Sequence, residues 1–353
     1  MTSAPLRHLS VAALTLAAGL CAPSAFAQTT LFAAVSGDGT VIKVDLDHAG
    51  QITVTTSNLN TPYGLGFDSH GQLLVADTDN NAIKMIGPGG TQTTVFSGLN
   101  YPSGFAVDCD DNLSVANFGD GNFLELSGGK ETLIAGGFNG PISVRPYRRQ
   151  DWGMRPTARI YALTYRGDGP GGVVLFRHNA DGTWTNLQTV TTNLNYAYDA
   201  VPDRAGNLFV SELGSGRILE FPAASGGLVS TNPIVFAAQL SPVGLLFDHR
   251  GNLYEADYGG AINQFIFSNG TLSTNPVAVV TGLNAPTYLA IPPPPFVRIR
   301  PAGDTVVLTW PDALFALQAA NALPGTFTTI PGAASPYTNV ITGAMRFFRL
   351  VSK

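Results

Sequence analysis

The sequence predicts an all-β fold, a six-bladed β-propeller followed by a small β-sandwich-like C-terminal module. One strand-and-turn pattern recurs along the chain, as in "FDSHGQLLVADTDNNAIKMI" from Phe67 and "FDHRGNLYEADYGGAINQF" from Phe247. Only 12% of the residues are charged, against a typical share of about 25%, and 40 Gly and 24 Pro supply many turns. Apolar residues alternate or run in short blocks between Gly, Asp and Asn, which is typical of strands rather than helices.

The N-terminal segment, residues 1–27, is predicted to be a cleaved signal peptide. Arg7 and His8 precede the apolar run "LSVAALTLAAGL", and Ala25 and Ala27 form an A-x-A cleavage site. Cleavage after Ala27 leaves no transmembrane segment and predicts a periplasmic or secreted protein. The second cysteine of the chain, Cys109, then has no intrachain disulfide partner.

The repeats can be aligned without gaps on the apolar residue that follows the first turn of each repeat. They are spaced roughly 40 to 48 residues apart, the period of propeller blades. The aligned residues are Phe32, Leu73, Leu113, Ile160, Leu208 and Leu253. Each unit reads as four strands; in the second unit these are "YGLGFD", "QLLVAD", "NAIKMI" and "TQTTVFS". The propeller is therefore predicted to span residues 28–291.

The ring needs a closing strand, because a propeller with a seam would leave unpaired strand edges. After the sixth unit the segment "GLNAPTYLAI" matches the stretches that open earlier units, "NLNTPYGLGF" and "GLNYPSGFAV". No new repeat follows it. Residues 285–291 are thus predicted to be the inner strand of the first blade.

The pattern "P-x-G-h-x-h-D-x-x-G-x-L-h-V-A-D" resembles the NHL repeat, and the six units resemble the NHL and gluconolactonase-like propellers. This resemblance implies the fold and says little about activity, because propellers carry many functions. After it, Pro292–Pro295 form a short, semi-rigid linker. Residues 296–353 alternate as the strands of a small β module that resembles C-terminal modules of secreted bacterial proteins.

The charge balance and the histidines exclude several functions. A net charge of −5 with 19 Lys and Arg argues against a nucleic-acid partner. His48, His70, His178 and His249 fall in turns of four different units, whereas a histidine triad or metal site needs them to converge. No catalytic residue is predicted.

The predicted ligand site is the mouth, the end of the propeller axis at which the inner strands begin. In gluconolactonase-like propellers the resemblance implies a calcium ion held there by carboxylate and Asn side chains. The matching positions carry neither acids nor Asn; they are Tyr63, Ser103, Ile142, Tyr198, Val243 and Thr287. The predicted ligand-binding residues are therefore Tyr63, Ser103, Tyr198, Asp199 and Thr287, in an uncharged aromatic and hydroxyl-rich surface suited to a glycan or peptide.

A second set of six positions ends the second strand of each unit and leaves two interpretations open. Three of them, Asp77, Glu212 and Asp257, are acidic. They are either structural, accepting hydrogen bonds from turn amides, or ligands of calcium or another divalent cation. The first interpretation implies no cofactor.

One insertion, "SVRPYRRQDWGMRPTAR", concentrates the positive charge in the fourth unit. It is either a solvated, partly packed insertion or an interaction loop for an anionic partner. The loop residues would be Arg148, Arg149, Trp152 and Arg155, and Arg145 and Arg159 are assigned as flanking charges.

The leading hypothesis is an exported, non-catalytic recognition or scaffold protein that binds a glycan, peptide, protein or envelope component at the mouth. The alternative is a divalent-cation-dependent hydrolase or lyase of the gluconolactonase-like class.

Overall fold

The computed structural model describes residues 30–47, 50–108, 110–147, 159–166, 170–292, 297–303, 305–310, 315–322, 325–340 and 346–352. In these ranges the chain consists of β-strands, turns and short 3-10 segments, and none of its helices is long and apolar enough for a membrane span. The predicted signal peptide, the interaction-loop residues Arg148, Arg149, Trp152 and Arg155, and linker residues 293–295 lie outside the described part.

The strands divide between two compact units. Those of the first unit, in chain order from β1 to β26, are Thr30–Val35, Thr40–Asp45, Gln51–Thr56, Pro62–Phe67, Leu73–Asp77, Ala82–Ile86, Gln92–Ser97, Pro102–Val107, Leu113–Asn117, Asn122–Ser127, Lys130–Ala135, Pro141–Pro146, Arg159–Tyr165, Gly171–His178, Trp184–Leu194, Ala197–Pro202, Leu208–Glu212, Arg217–Phe221, Ile234–Ala238, Pro242–Phe247, Leu253–Asp257, Ala261–Phe265, Phe267–Ser268, Thr271–Leu272, Val277–Thr281 and Pro286–Ala290. The 3-10 segments are Ser36–Asp38, Thr78–Asn80, Pro88–Gly90, Leu213–Ser215 and Ser225–Gly227.

In the described part of the first unit these strands form six four-stranded antiparallel sheets. Five of them are built from strands that follow one another in sequence, with the small hairpin β23–β24 inserted before the last strand of the β20 sheet. The sixth sheet has the order β26-β1-β2-β3, so a strand from the end of the unit pairs with its first strand. The residues on which the repeats were aligned, such as Leu73 and Leu253, all lie in the second strand of their sheet, counted from the end that begins with β4, β8, β12, β16, β20 or β26.

The first strands of the sheets, here called the inner strands, are β4, β8, β12, β16, β20 and β26. Each of them contacts the next, and β26 contacts β4. The core lies between consecutive sheets: Ile83 and Leu74 of one sheet pack with Leu113 and Leu124 of the next, all of them buried. A sheet with two apolar faces is buried only between two neighbours, which explains the low share of charged residues.

Three of the six inner strands have glycine as their third residue, and the close approach of the neighbouring inner strand requires it. A Cβ atom on Gly64 would lie 2.4 Å from the carbonyl oxygen of Ser103, and one on Gly244 would lie 2.1 Å from that of Thr287. A Cβ on Gly104 would lie 2.4 Å from the hydroxyl oxygen of Tyr288. The glycine of the "P-x-G" element is therefore explained by the tight packing between neighbouring inner strands.

We expect Gly244→Ala to lower the free energy of unfolding by about 1–3 kcal/mol or more, because the added methyl group must displace backbone. Urea denaturation measures the change. Gly136→Ala is the matched control, since its Cβ would meet only the movable amide of Asn122, at 2.8 Å. Equal stabilities of the two variants would contradict the packing argument.

The second unit contains strands β27 to β32, which are Arg298–Ala302, Thr305–Thr309, Phe315–Ala320, Thr328–Thr329, Tyr337–Val340 and Phe347–Ser352. They form two three-stranded antiparallel sheets, β27-β28-β31 and β30-β29-β32. Leu308 and Leu317 are fully buried in them.

Candidate ligand-binding site at the start of the inner strands

Two of the predicted mouth residues, Tyr63 and Tyr198, meet where the inner strands begin. Tyr63 is the second residue of β4 and Tyr198 the second of β16, and both pack with Ile142 and Val243 of two further inner strands. Burial raises the pKa of the Tyr63 phenol above its ordinary value, and the neighbouring phenol of Tyr198 raises it further. The phenol of Tyr258, which is exposed, also raises the pKa of both.

Arg166, a residue that the sequence analysis does not assign to the mouth, lies beside these tyrosines. Arg166 donates a short hydrogen bond from Nη1 to the Tyr198 hydroxyl. Its guanidinium carbon lies 5.1 Å from the centre of the Tyr198 ring and 5.0 Å from that of Phe118. The mouth is therefore not uncharged: Arg166 brings one positive charge held by aromatic rings. We call Tyr63, Phe118, Arg166, Tyr198 and Tyr258 the tyrosine face.

The other predicted mouth residues are placed differently. Ser103 and Thr287 are buried in β8 and β26. The Thr287 hydroxyl hydrogen-bonds the carbonyl oxygens of Pro62 and Ala34, at 3.2 and 3.4 Å. The Thr287 hydroxyl thus links β26 to β4 and to β1. The loop residues Asn60, Asn100, Asn195 and Asn284, which precede four inner strands, are exposed around the tyrosine face.

Asp199, the fifth predicted residue, is fully buried and belongs to an ion pair inside the unit. Its carboxylate accepts hydrogen bonds from Arg145 Nε (3.0 and 3.2 Å) and Nη2 (2.8 Å), from Ser143 Oγ (2.6 Å) and from the Leu245 amide (3.0 Å). Burial opposes the charge on the guanidinium, yet Asp199 outweighs it and raises the pKa of Arg145.

The assignment of Arg145 to the charged insertion is corrected by this pairing. Arg145 lies in β12, and its side chain is 11% exposed. Its guanidinium carbon sits 4.8 Å from the centre of the Tyr288 ring. The position of Asp199 in the repeat explains the pair: Asp199 replaces the glycine of "P-x-G", so its carboxylate enters the space between inner strands, where a counter-charge is needed.

The second set of acids holds the loops in front of the inner strands. The carboxylate of Asp77 accepts the amide of Asn60 at 2.6 Å, that of Glu212 accepts the amide of Asn195 at 2.8 Å, and that of Asp257 accepts the amide of Ser241 at 2.9 Å. Asp77 also pairs with Lys84 Nζ at 2.5 Å, and Glu212 pairs with Arg217. These contacts match the structural interpretation of the three acids.

The same six positions do not form a cation site among the described residues, where no group of three His, Cys, Asp or Glu is arranged to hold a metal ion. Calcium needs several converging oxygens, whereas each acid here is occupied by the amide of its own sheet's loop. The three described histidines belong to different sheets: His70 is near Asp111 (3.5 Å), His178 stacks on Trp184, and His249 lies in the turn after β20. His48 lies outside the described residues.

Comparison with known proteins shows the fold. No protein-family model and no curated protein matches the sequence. Among solved structures, a gluconolactonase from Xanthomonas campestris is 15% identical, with a TM-score of 0.53 over 80% of this chain and 92% of that chain. A streptogramin B lyase is 12% identical, with a TM-score of 0.52 over 80% and 87%. The chain therefore has the all-β fold of the gluconolactonase-like propeller proteins.

Proposed function

We propose that this protein is an exported, six-bladed NHL-like propeller that recognises a ligand at the tyrosine face without transforming it. The six four-stranded sheets and the cyclic contacts of their inner strands support the six-blade interpretation. Export rests on the signal-peptide pattern of residues 1–27.

The observation that carries the proposal is Arg166 held against Tyr198 and Phe118, with Tyr63 packed beside them. The described contacts of the Arg166 guanidinium are to aromatic rings and a phenol. This arrangement offers flat faces for sugar rings, a guanidinium for oxygen acceptors and exposed amides at the border. Burial raises the pKa of the Tyr63 and Tyr198 phenols, so these two groups stay protonated and suit hydrogen bonding rather than acid–base exchange. A glycan is the ligand class that fits it best, with a peptide or another envelope component as the competing classes.

Tyr63→Ala and Arg166→Met should each weaken binding at least tenfold, a loss of about 1.4 kcal/mol, because each removes one side of the face. An array of neutral and uronic-acid oligosaccharides identifies the bound sugar, and isothermal titration measures its affinity. Leu133→Ala, at an exposed outer-strand position, is the control. Wild-type affinity in both face variants would disprove the site, and binding of peptides alone would replace the glycan.

The alternative is a divalent-cation-dependent hydrolase or lyase of the gluconolactonase-like class. The described residues do not fit a calcium site, so we expect EDTA and calcium to leave the melting temperature unchanged. A cation at 100 times its Kd would add about 2.7 kcal/mol of stability, which melting detects. Such a shift, abolished by Glu212→Gln, would establish the alternative.

A further inference from the structure

A cavity of about 1170 Å³ lies at the other end of the inner strands, away from the tyrosine face. Its wall includes the last residues of the inner strands, among them Phe67, Val107, Pro146 and Phe247. The tyrosine face, by contrast, is built around the first residues of the same strands. This cavity is therefore a separate space, and its volume suits a drug-sized molecule.

The wall of the cavity is mainly apolar and aromatic. Phe105, Phe209 and Phe236 line it together with Leu289 and Ile291. At its border two large apolar side chains stay accessible: Ile234 is 55% and Phe267 is 43% exposed. Accessible apolar residues that continue into a concave apolar wall indicate a ligand site rather than isolated surface residues.

One cation reaches this wall. Arg145 lines the cavity while its Nε and Nη2 hold Asp199, and among the described residues no hydrogen bond occupies Nη1. The Arg145–Asp199 pair is neutral as a whole, so Nη1 offers a hydrogen-bond donor without requiring an anion.

The charges at the border argue against an anionic ligand. Three acids, Asp203, Glu220 and Asp248, line the cavity together with Arg204 and His249. Asp203 and Asp248 are held in place by side-chain amides, at 2.8 Å from Asn207 and 2.7 Å from Asn252. An entering carboxylate would meet like charges there.

We propose that this cavity is a second binding site, for a neutral and mainly apolar small molecule whose carbonyl or ether oxygen accepts a hydrogen bond from Arg145 Nη1. The apolar body packs against the phenylalanine wall, and the acceptor points to the inner end. This site is independent of the tyrosine face, because the two share no described residue.

Fluorescence titration of residues 28–353 with the neutral probe N-phenyl-1-naphthylamine tests the proposal. We expect saturable binding to one site, weakened at least tenfold by Ile234→Lys and by Phe267→Lys, since each places a charge at the border. Leu133→Lys is the matched control: Leu133 is 59% exposed and, like Ile234, lies in the outermost strand of a sheet. Unsaturable binding, or equal affinity of all three variants, would overturn the proposal.

Competition with the bound probe tests the role of Arg145. Acetophenone and ethylbenzene have nearly the same shape, and only acetophenone carries an acceptor. A purely apolar site would prefer ethylbenzene, the more hydrophobic of the two. We expect acetophenone to displace the probe at the lower concentration, whereas preference for ethylbenzene would disprove recognition by Arg145.

Discussion

Replacing Glu255 by glutamine is expected to stabilise the protein by several kcal/mol at alkaline pH. Glu255 is fully buried in β21, and its Oε2 accepts a hydrogen bond from Asn263 at 2.8 Å. Its Oε1 has no hydrogen-bond partner in the described structure. Burial raises the pKa of this carboxyl to about 8; the Asn263 hydrogen bond lowers it and Asp257 raises it further.

The sign of the effect follows from proton binding. The folded protein keeps the Glu255 proton up to about pH 8, whereas the unfolded chain loses it near the ordinary value of 4.5. Between these values the unfolded state binds fewer protons, so the wild type loses stability as pH rises and levels off above pH 8. A pKa moved from 4.5 to about 8 corresponds to about 5 kcal/mol. Glutamine is neutral in both the folded and the unfolded state, so the variant does not lose stability in this way as the pH rises.

Urea denaturation of the wild type and Glu255→Gln at pH 5, 7 and 9 measures the difference, which should grow with pH. Glu255→Val should also gain stability at pH 9, because Val75, Val115 and Val210 occupy the equivalent position in other repeats and are fully buried. Glu131→Gln, at an exposed site, is the control. A difference that stays the same from pH 5 to pH 9 would show that Glu255 does not keep its proton.

Breaking the Arg145–Asp199 pair has the second large expected effect. Arg145→Met leaves the Asp199 carboxylate buried without its counter-charge, and Asp199→Leu leaves the guanidinium unpaired. Each single variant should lose about 3–5 kcal/mol of unfolding free energy, whereas the double variant should lose less, because neither charge then remains alone.

A double-mutant cycle in urea gives the coupling between the two residues. Arg217→Met is the matched comparison: Arg217 pairs with buried Glu212, but its own side chain is 38% exposed, so solvent screens the loss. We expect a smaller effect there. Additive losses at Arg145 and Asp199 would mean that the pair does not act as a unit.

The sequence alone predicted the strands because each repeat carries its own turn chemistry. The four strands expected in the second unit are observed as β4 to β7, and Leu73, Leu113 and Leu208 are buried at equivalent places. The segment 285–291, predicted to complete the first sheet, contains β26, which pairs with β1. The alternation of apolar and polar residues and the glycine-containing turns each involve only a few consecutive residues, so a single sequence is enough to predict them.

The candidate sites were decided by the tertiary structure. Tyr63 and Tyr198 were predicted from their repeat positions. Arg166 and Phe118 come from two other repeats and meet Tyr198 only after the inner strands assemble. Arg145 was assigned to a surface insertion, since nothing local reveals a partner 54 residues away. The cavity likewise depends on the spacing of six sheets. Local patterns determine strands, whereas convergence of side chains depends on contacts that are distant in sequence.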